Sequence, residues 1–268
     1  PEPPVPEGLE AEIWRTSLEV TVGRTVVDAW VDDRVVPPDL VDRITGHRID
    51  SVRRVGKVVL IDTVDGPTIG LHFGMTGRVI VDGIAPIDRL QYASARDEPE
   101  WDRLRLFASR RAASPALVGP PAIRLNDPRR LGHVSLDADL SALGVDMMAV
   151  TSARLRAAIG RRQPAIKTLL LDQSAVAGLG NMCADEVLWW AGIDPHRAAA
   201  TLTDDEVRRL ASAIRRRLPI MLRRGGSHTG VLAPDVRAAC PPCERDGVPL
   251  RRDVIGGRTA VWCPEHQR

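Results

Sequence analysis

Four side chains near the end of the chain have the types and spacing of metal ligands: Cys240-Pro-Pro-Cys243, then nineteen residues, then Cys263-Pro-Glu-His266. Two close pairs of soft donors bridged by a hairpin-length spacer fit a closed, tetrahedral structural zinc site holding one ion. The segment has too little apolar sequence to fold without a metal, so Zn2+ is expected to hold it. Arg258 and Thr259 fall in the hairpin between the pairs, where an arginine on a rigid turn can enter a groove or hold a phosphate. A Cys3His set has no open coordination position, and no His-Glu-x-x-His pattern occurs, which argues against a zinc hydrolase. Cys183 stands apart and is assigned no role.

A second constellation is "DQSAVAGLGNMCADE". The helical stretch "PAIKTLLLD" stops before it, Gly178-Leu-Gly180 permits a tight turn, and Asn181 is expected to cap the next helix. Unpaired N–H groups there would cradle a phosphate, although a glycine turn between helices is common in its own right. A third is Pro-Glu, present twice, at Pro1-Glu2 and Pro6-Glu7. A terminal proline is a secondary amine, whereas an internal one is an amide without a nucleophilic nitrogen. Only two of 37 basic residues are lysine, Lys57 and Lys167. A primary amine with a tunable pKa is something arginine cannot imitate.

The elements that must position these groups fall into two kinds. "EGLEAEIWRTSLEVTVG" places Leu9, Ile13 and Leu18 near helical spacing and stops at Gly23. The short runs "TVVDAWV", "RVGKVVLIDTV", "PTIGLHFGM" and "GRVIVDG" follow, and their spacing predicts a β-sandwich or barrel, with more strands over 88–140. After about residue 150 the pattern turns helical, with Thr151 and Thr203 as N-caps and Gly192 and Gly225 as stops. Net charge is +2, but residues 151–268 carry 19 Lys/Arg against 12 Asp/Glu, the balance of a polyanion-binding domain or of a solvated helix face. No apolar run approaches the roughly 20 residues of a membrane span, so a soluble intracellular protein is expected.

"IKTLLLDQSAVAGLGNMCADEVLWWAGIDP" resembles the helix–two-turn–helix element of the formamidopyrimidine-DNA glycosylase/endonuclease VIII family, and "GGRTAVWCPEH" resembles that family's zinc-hairpin ending. "RVGKVVLID" around Lys57, "LHFGMTGRV" around Met75 and "LNDPRRLG" around Arg129 are similar to further family motifs, in the family's order. The resemblance implies an α+β fold: an N-terminal helix plus β-sandwich catalytic domain (1–140), a helix–two-turn–helix DNA-binding domain (151–234) and a zinc-finger hairpin (235–268). It implies a monomeric, cytoplasmic, bacterial-type base-excision repair enzyme that binds duplex DNA at a damaged base or abasic site.

For the site, the resemblance implies an N-terminal proline amine that attacks C1′ of the damaged nucleotide, expels the base and forms a Schiff base leading to β,δ-elimination, with the adjacent glutamate as general acid/base. Pro1 and Glu2 are the expected pair because only Pro1 has a free amine here. Pro6 and Glu7 are the rival, because the family's start aligns best at "PEGLEAEI"; that alternative requires the native chain to begin at the Val5 codon. Lys57 corresponds to a phosphate-contacting lysine beside the lesion, and Lys167 to a residue near the bound nucleotide. Asn181 and Arg258 resemble two phosphate clamps. Met75, Arg129 and Leu131 match the three residues that fill the hole left by an everted base, with leucine where phenylalanine is usual. The resemblance makes an oxidised base the default target, but "RRGGSHTGVLAPDVRAACPPC" is shorter than the family's usual stretch, which together with Leu131 leaves room for a bulky alkylated guanine as the alternative; His228 is a candidate base contact. The competing function is that of an inactive relative that binds lesions or abasic DNA without cutting.

Overall fold

The computed structural model describes residues 6–87, 90, 94, 96–109 and 119–268; Pro1 and Glu2 lie outside the described residues. The chain divides into two compact units, one comprising the chain up to Glu10 with Ser141–Arg268, the other Ala11–Leu140. The first helix, α1 (Gly8–Leu18), ends sooner than the expected stop at Gly23, because the chain tightens into a 3-10 turn over Glu19–Thr21.

In the unit Ala11–Leu140, strands β1 (Thr25–Val31), β2 (Ile49–Val55), β3 (Val58–Thr63), β4 (Ile69–His72), β5 (Arg78–Val81), β6 (Asp102–Ser109), β7 (Ile123–Asn126) and β8 (His133–Leu136) form two antiparallel sheets. Their orders are β1-β6-β7-β5 and β2-β3-β4-β8. Val26, Val79, Leu104 and Leu125 from the first sheet and Ile49, Ile61, Leu71 and Val134 from the second share one core, which makes the pair a β-sandwich. Trp14 of α1 lies against Phe73 within it, ring centroids 4.1 Å apart. A one-turn helix, α2 (Leu40–Ile44), was not expected; five residues are too few to show a helical period.

The second unit has its own core, built from the short parallel pair β9 (Val145–Asp146) and β10 (Val176–Ala177) and from α3 (Ser152–Ile159), α4 (Ile166–Leu171), α5 (Asn181–Ala191) and α6 (Asp204–Arg223). The expected signals are present. The Thr151 side chain accepts the Arg154 N–H, Thr203 and Glu206 form a reciprocal capping box, and Gly192 closes α5 in the left-handed region. A short helix, α7 (Pro234–Ala239), precedes the hairpin β11 (Arg251–Ile255) and β12 (Arg258–Trp262). Among the described residues no helix is long and apolar enough to cross a membrane.

Candidate functional site

Glu7 is buried, and its carboxylate accepts N–H bonds from Gly180 (3.1 Å), Met182 (2.7 Å) and Cys183 (3.1 Å). It occupies the start of α5, where backbone donors lack helical partners and the helix dipole favours negative charge. The expectation that Asn181 caps α5 is corrected. Asn181 is the first helical residue, Gly180 holds the cap position, and the capping oxygens come from Glu7. Gly180 is required by proximity, since a Cβ there would lie 2.3 Å from the Glu7 Cδ.

Beside it lies a carboxyl that the sequence reading missed. Glu10 is also buried and accepts bonds from the Glu7 N–H (2.9 Å), the Ser227 N–H (2.6 Å) and the Ser227 hydroxyl (2.7 Å). Burial, and then the nearby Glu7 charge, raise its pKa above the ordinary 4.5, while the Ser227 and Glu7 bonds pull the other way. The Glu7/Glu10 spacing, one helical turn at the start of α1, was the available signal. Pro6, directly before the pair, is buried, and His228 is exposed in the 3-10 turn that Glu10 grips.

The β11–β12 hairpin turns on Gly256 and Gly257, both with positive φ (57° and 75°), and Ile255 pairs with Arg258. Two left-handed residues between paired strands make a type I′ turn, which leaves Arg258 exposed at the start of β12. Lys167, expected near a nucleotide, is fully buried, with Nζ 2.7 Å from Asp185 Oδ1 and 2.5 Å from the Thr259 carbonyl. A six-residue helix with Ile166, Leu169 and Leu170 in the core turns Lys167 inward with them.

Donor atoms of Cys243, Asp246, Cys263 and His266 all lie within 4.8 Å of one another, a cluster that could hold a metal ion. His266 Nε2 is 3.1 Å from the Trp189 carbonyl. That oxygen can only accept, so Nε2 is the donor there, and Nδ1, which faces Cys243 and Asp246, is the ring nitrogen that would ligate a metal. The expected ligand Cys240 is not in the cluster. It ends α7 in the left-handed conformation, with Sγ 3.7 Å from the Arg237 carbonyl, and Asp246 stands in the fourth place.

In the sandwich unit, Lys57 is half-buried at the tip of the β2–β3 hairpin, where Val55 pairs with Val58. His72 pairs with Val58 and stacks on His133, centroids 4.8 Å apart. Burial, then His133 and then Lys57, push its pKa down to about 4. Met75 and the segment Arg129–Leu131 are organised by one buried carboxylate. Asp127 accepts the Thr76 hydroxyl (2.5 Å) and the N–H groups of Arg129 (3.1 Å), Leu131 (2.8 Å) and Gly132 (2.7 Å). Met75 is half-buried, while Arg129 and Leu131 are exposed. The structure therefore brings these three together, and groups Glu7, Asn181, Lys167 and Arg258 in the other unit.

The sequence model of the formamidopyrimidine-DNA glycosylase N-terminal domain matches residues 5–134, and that of the formamidopyrimidine-DNA glycosylase H2TH domain matches residues 143–232. The chain belongs to the formamidopyrimidine-DNA glycosylase family. It is 35% identical over 254 residues to the formamidopyrimidine-DNA glycosylase of Xanthomonas oryzae pv. oryzae, covering 86% of each chain, and 31% identical to that of Thermomicrobium roseum, covering 98% of this chain and 99% of the relative. Among solved structures, the MutM (Fpg) protein of Thermus thermophilus superposes with a TM-score of 0.77 at 27% identity, over 98% of both chains. A Lactococcus lactis Fpg solved with DNA containing an N7-benzyl-Fapy-dG has the same fold, with a TM-score of 0.78 at 22% identity over 98% of this chain and all of that one.

Proposed function

We propose that the chain is a bifunctional DNA glycosylase and abasic-site lyase acting on duplex DNA with a damaged base, and that Pro6 and Glu7 are its reacting pair. The observation that carries this reading is the Glu7 carboxylate, seated on the first N–H groups of α5 directly after a proline. With its nitrogen freed as a secondary amine, Pro6 would attack C1′ of the nucleotide, the base would leave, and the resulting iminium would serve as the electron sink for strand scission. Glu7 would give and take the protons of sugar opening. Asn181 and Arg258 are proposed as phosphate contacts, as is Lys57. Met75, Arg129 and Leu131 are proposed to fill the space vacated by the everted base. One structural zinc would be held by Cys243, Cys263 and His266. The geometry favours Asp246 as its fourth ligand; the Cys-Pro-Pro-Cys spacing and zinc's preference for thiolate favour Cys240.

Pro1 and Glu2 remain the rival pair, because in the 268-residue chain the Pro6 nitrogen is an amide. That same fact motivates the second reading, a lesion-binding protein that does not cut. Borohydride trapping on an abasic duplex separates all three. We expect a covalent adduct from a form that begins at Pro6 and little from the form that begins at Pro1. An adduct at Pro1 would transfer the chemistry there, and tight binding without an adduct from either form would leave the binding reading. A panel of oxidised and N7-substituted lesion duplexes then identifies the excised base.

A further inference from the structure

The buried charges around Lys167 join the elements that carry two of the proposed phosphate contacts. Asp185 lies one helical turn after Asn181 on α5. Its Oδ1 accepts Lys167 Nζ from α4 at 2.7 Å, and its Oδ2 accepts Arg237 Nη1 from α7 at 2.5 Å and the Val261 N–H from β12 at 3.0 Å. The same two cations reach the carbonyl of Thr259, the residue after Arg258: Lys167 Nζ at 2.5 Å and Arg237 Nη2 at 3.1 Å. One carboxylate and one carbonyl thus share two cations. The turn itself abuts α4, since a Cβ on Gly256 would meet the Thr168 hydroxyl at 2.7 Å.

We propose that Lys167, Asp185 and Arg237 are positioning residues that lock the strand bearing Arg258 onto the helix bearing Asn181, and so fix the spacing of two phosphate contacts. The inference rests on the proposed DNA binding. It predicts an effect of unusual sign. Removing an acid from a DNA-binding protein ordinarily strengthens binding by reducing repulsion. Asp185→Asn instead weakens it, because the Arg258 strand loses its anchor while two buried cations lose their counterion.

The experiment measures equilibrium binding of the full-length, zinc-loaded protein to a duplex containing a tetrahydrofuran abasic-site analogue, with zinc content and thermal unfolding checked for each variant. Asp185→Asn is expected to bind about tenfold more weakly, the worth of one charge-assisted contact. Lys167→Met is expected to weaken binding but to add nothing once Arg258→Ala is present, while combining additively with Lys57→Ala in the other unit. A general loss of stability would not single out Arg258 in this way. If Asp185→Asn does not fold, the Lys167/Arg258 cycle decides. Binding by Asp185→Asn as tight as or tighter than wild type, or additive losses for Lys167→Met and Arg258→Ala, would overturn the proposal. Failure of the wild-type chain to bind would remove the DNA reading itself and this inference with it.

Discussion

Gly180 and the Glu7 carboxyl compete for one small volume, and the backbone of α5 depends on which occupies it. A methyl group at position 180 would force the Glu7 side chain off three N–H donors, since its Cβ would sit 2.3 Å from Cδ. Gly180→Ala is therefore expected to cost about 2–4 kcal/mol, the loss of charge-assisted bonds in a buried site. Urea unfolding measures it, and a change under about 0.5 kcal/mol, the scale of a neutral surface substitution, would show that Glu7 does not cap this helix. The sequence exposes half of this arrangement: Gly178-Leu-Gly180 reads as a tight turn and Pro6-Glu7 as the rival to Pro1-Glu2. It conceals the other half, because Glu7 and its donors are separated by more than 170 residues, and Asn181 looks like a sufficient local cap. Lys167 is a similar case. The rarity of lysine marks it as chosen, but only packing around α4 reveals that it was chosen for a buried partner.

At the scale of elements, the hairpin was the most legible part of the chain and its ligand set the least settled. Cysteine spacing predicts a hairpin flanked by two pairs of metal ligands, and the strands do pair while Cys243, Cys263 and His266 converge. Spacing cannot reveal that Cys240 ends a short helix in a left-handed conformation, nor that Asp246 turns toward the cluster. Leu250 and Val261 of the hairpin segment share a small apolar cluster with Trp189 of α5. It is too little to hold the strands without help. Stripping zinc with a chelator is expected to loosen residues 240–268 while leaving the sandwich core intact. Amide hydrogen exchange would show this as lost protection in β11 and β12 and unchanged protection in β3 and β6. Zinc content of Cys240→Ser and Asp246→Asn names the fourth ligand: the variant that loses the metal identifies it. The loop over Asp127–Gly132 was legible only as a motif; the carboxylate that ties Thr76 to it became visible only in the folded chain.

For the molecule as a whole, a near-neutral net charge conceals two halves of opposite sign, with the excess of arginine after residue 150 and the excess of acid before it. If the proposed contacts are right, the acidic half meets DNA only through a few local cations, Lys57 and Arg129 among them, while the basic half adds Arg258 and the field of its other arginines. Counterion release then sets the salt dependence. With about four phosphates neutralised, the logarithm of the association constant should fall with a slope of roughly −3.6 against the logarithm of salt, about a hundredfold between 50 and 200 mM. Arg258→Ala should reduce that slope by about one, and Leu131→Ala should leave it unchanged while weakening binding, because an apolar wedge releases no counterions. A wild-type slope near zero would mean that the basic half of the chain is only a solvated surface. An unchanged slope in Arg258→Ala would mean that the exposed arginine at the start of β12 touches no phosphate.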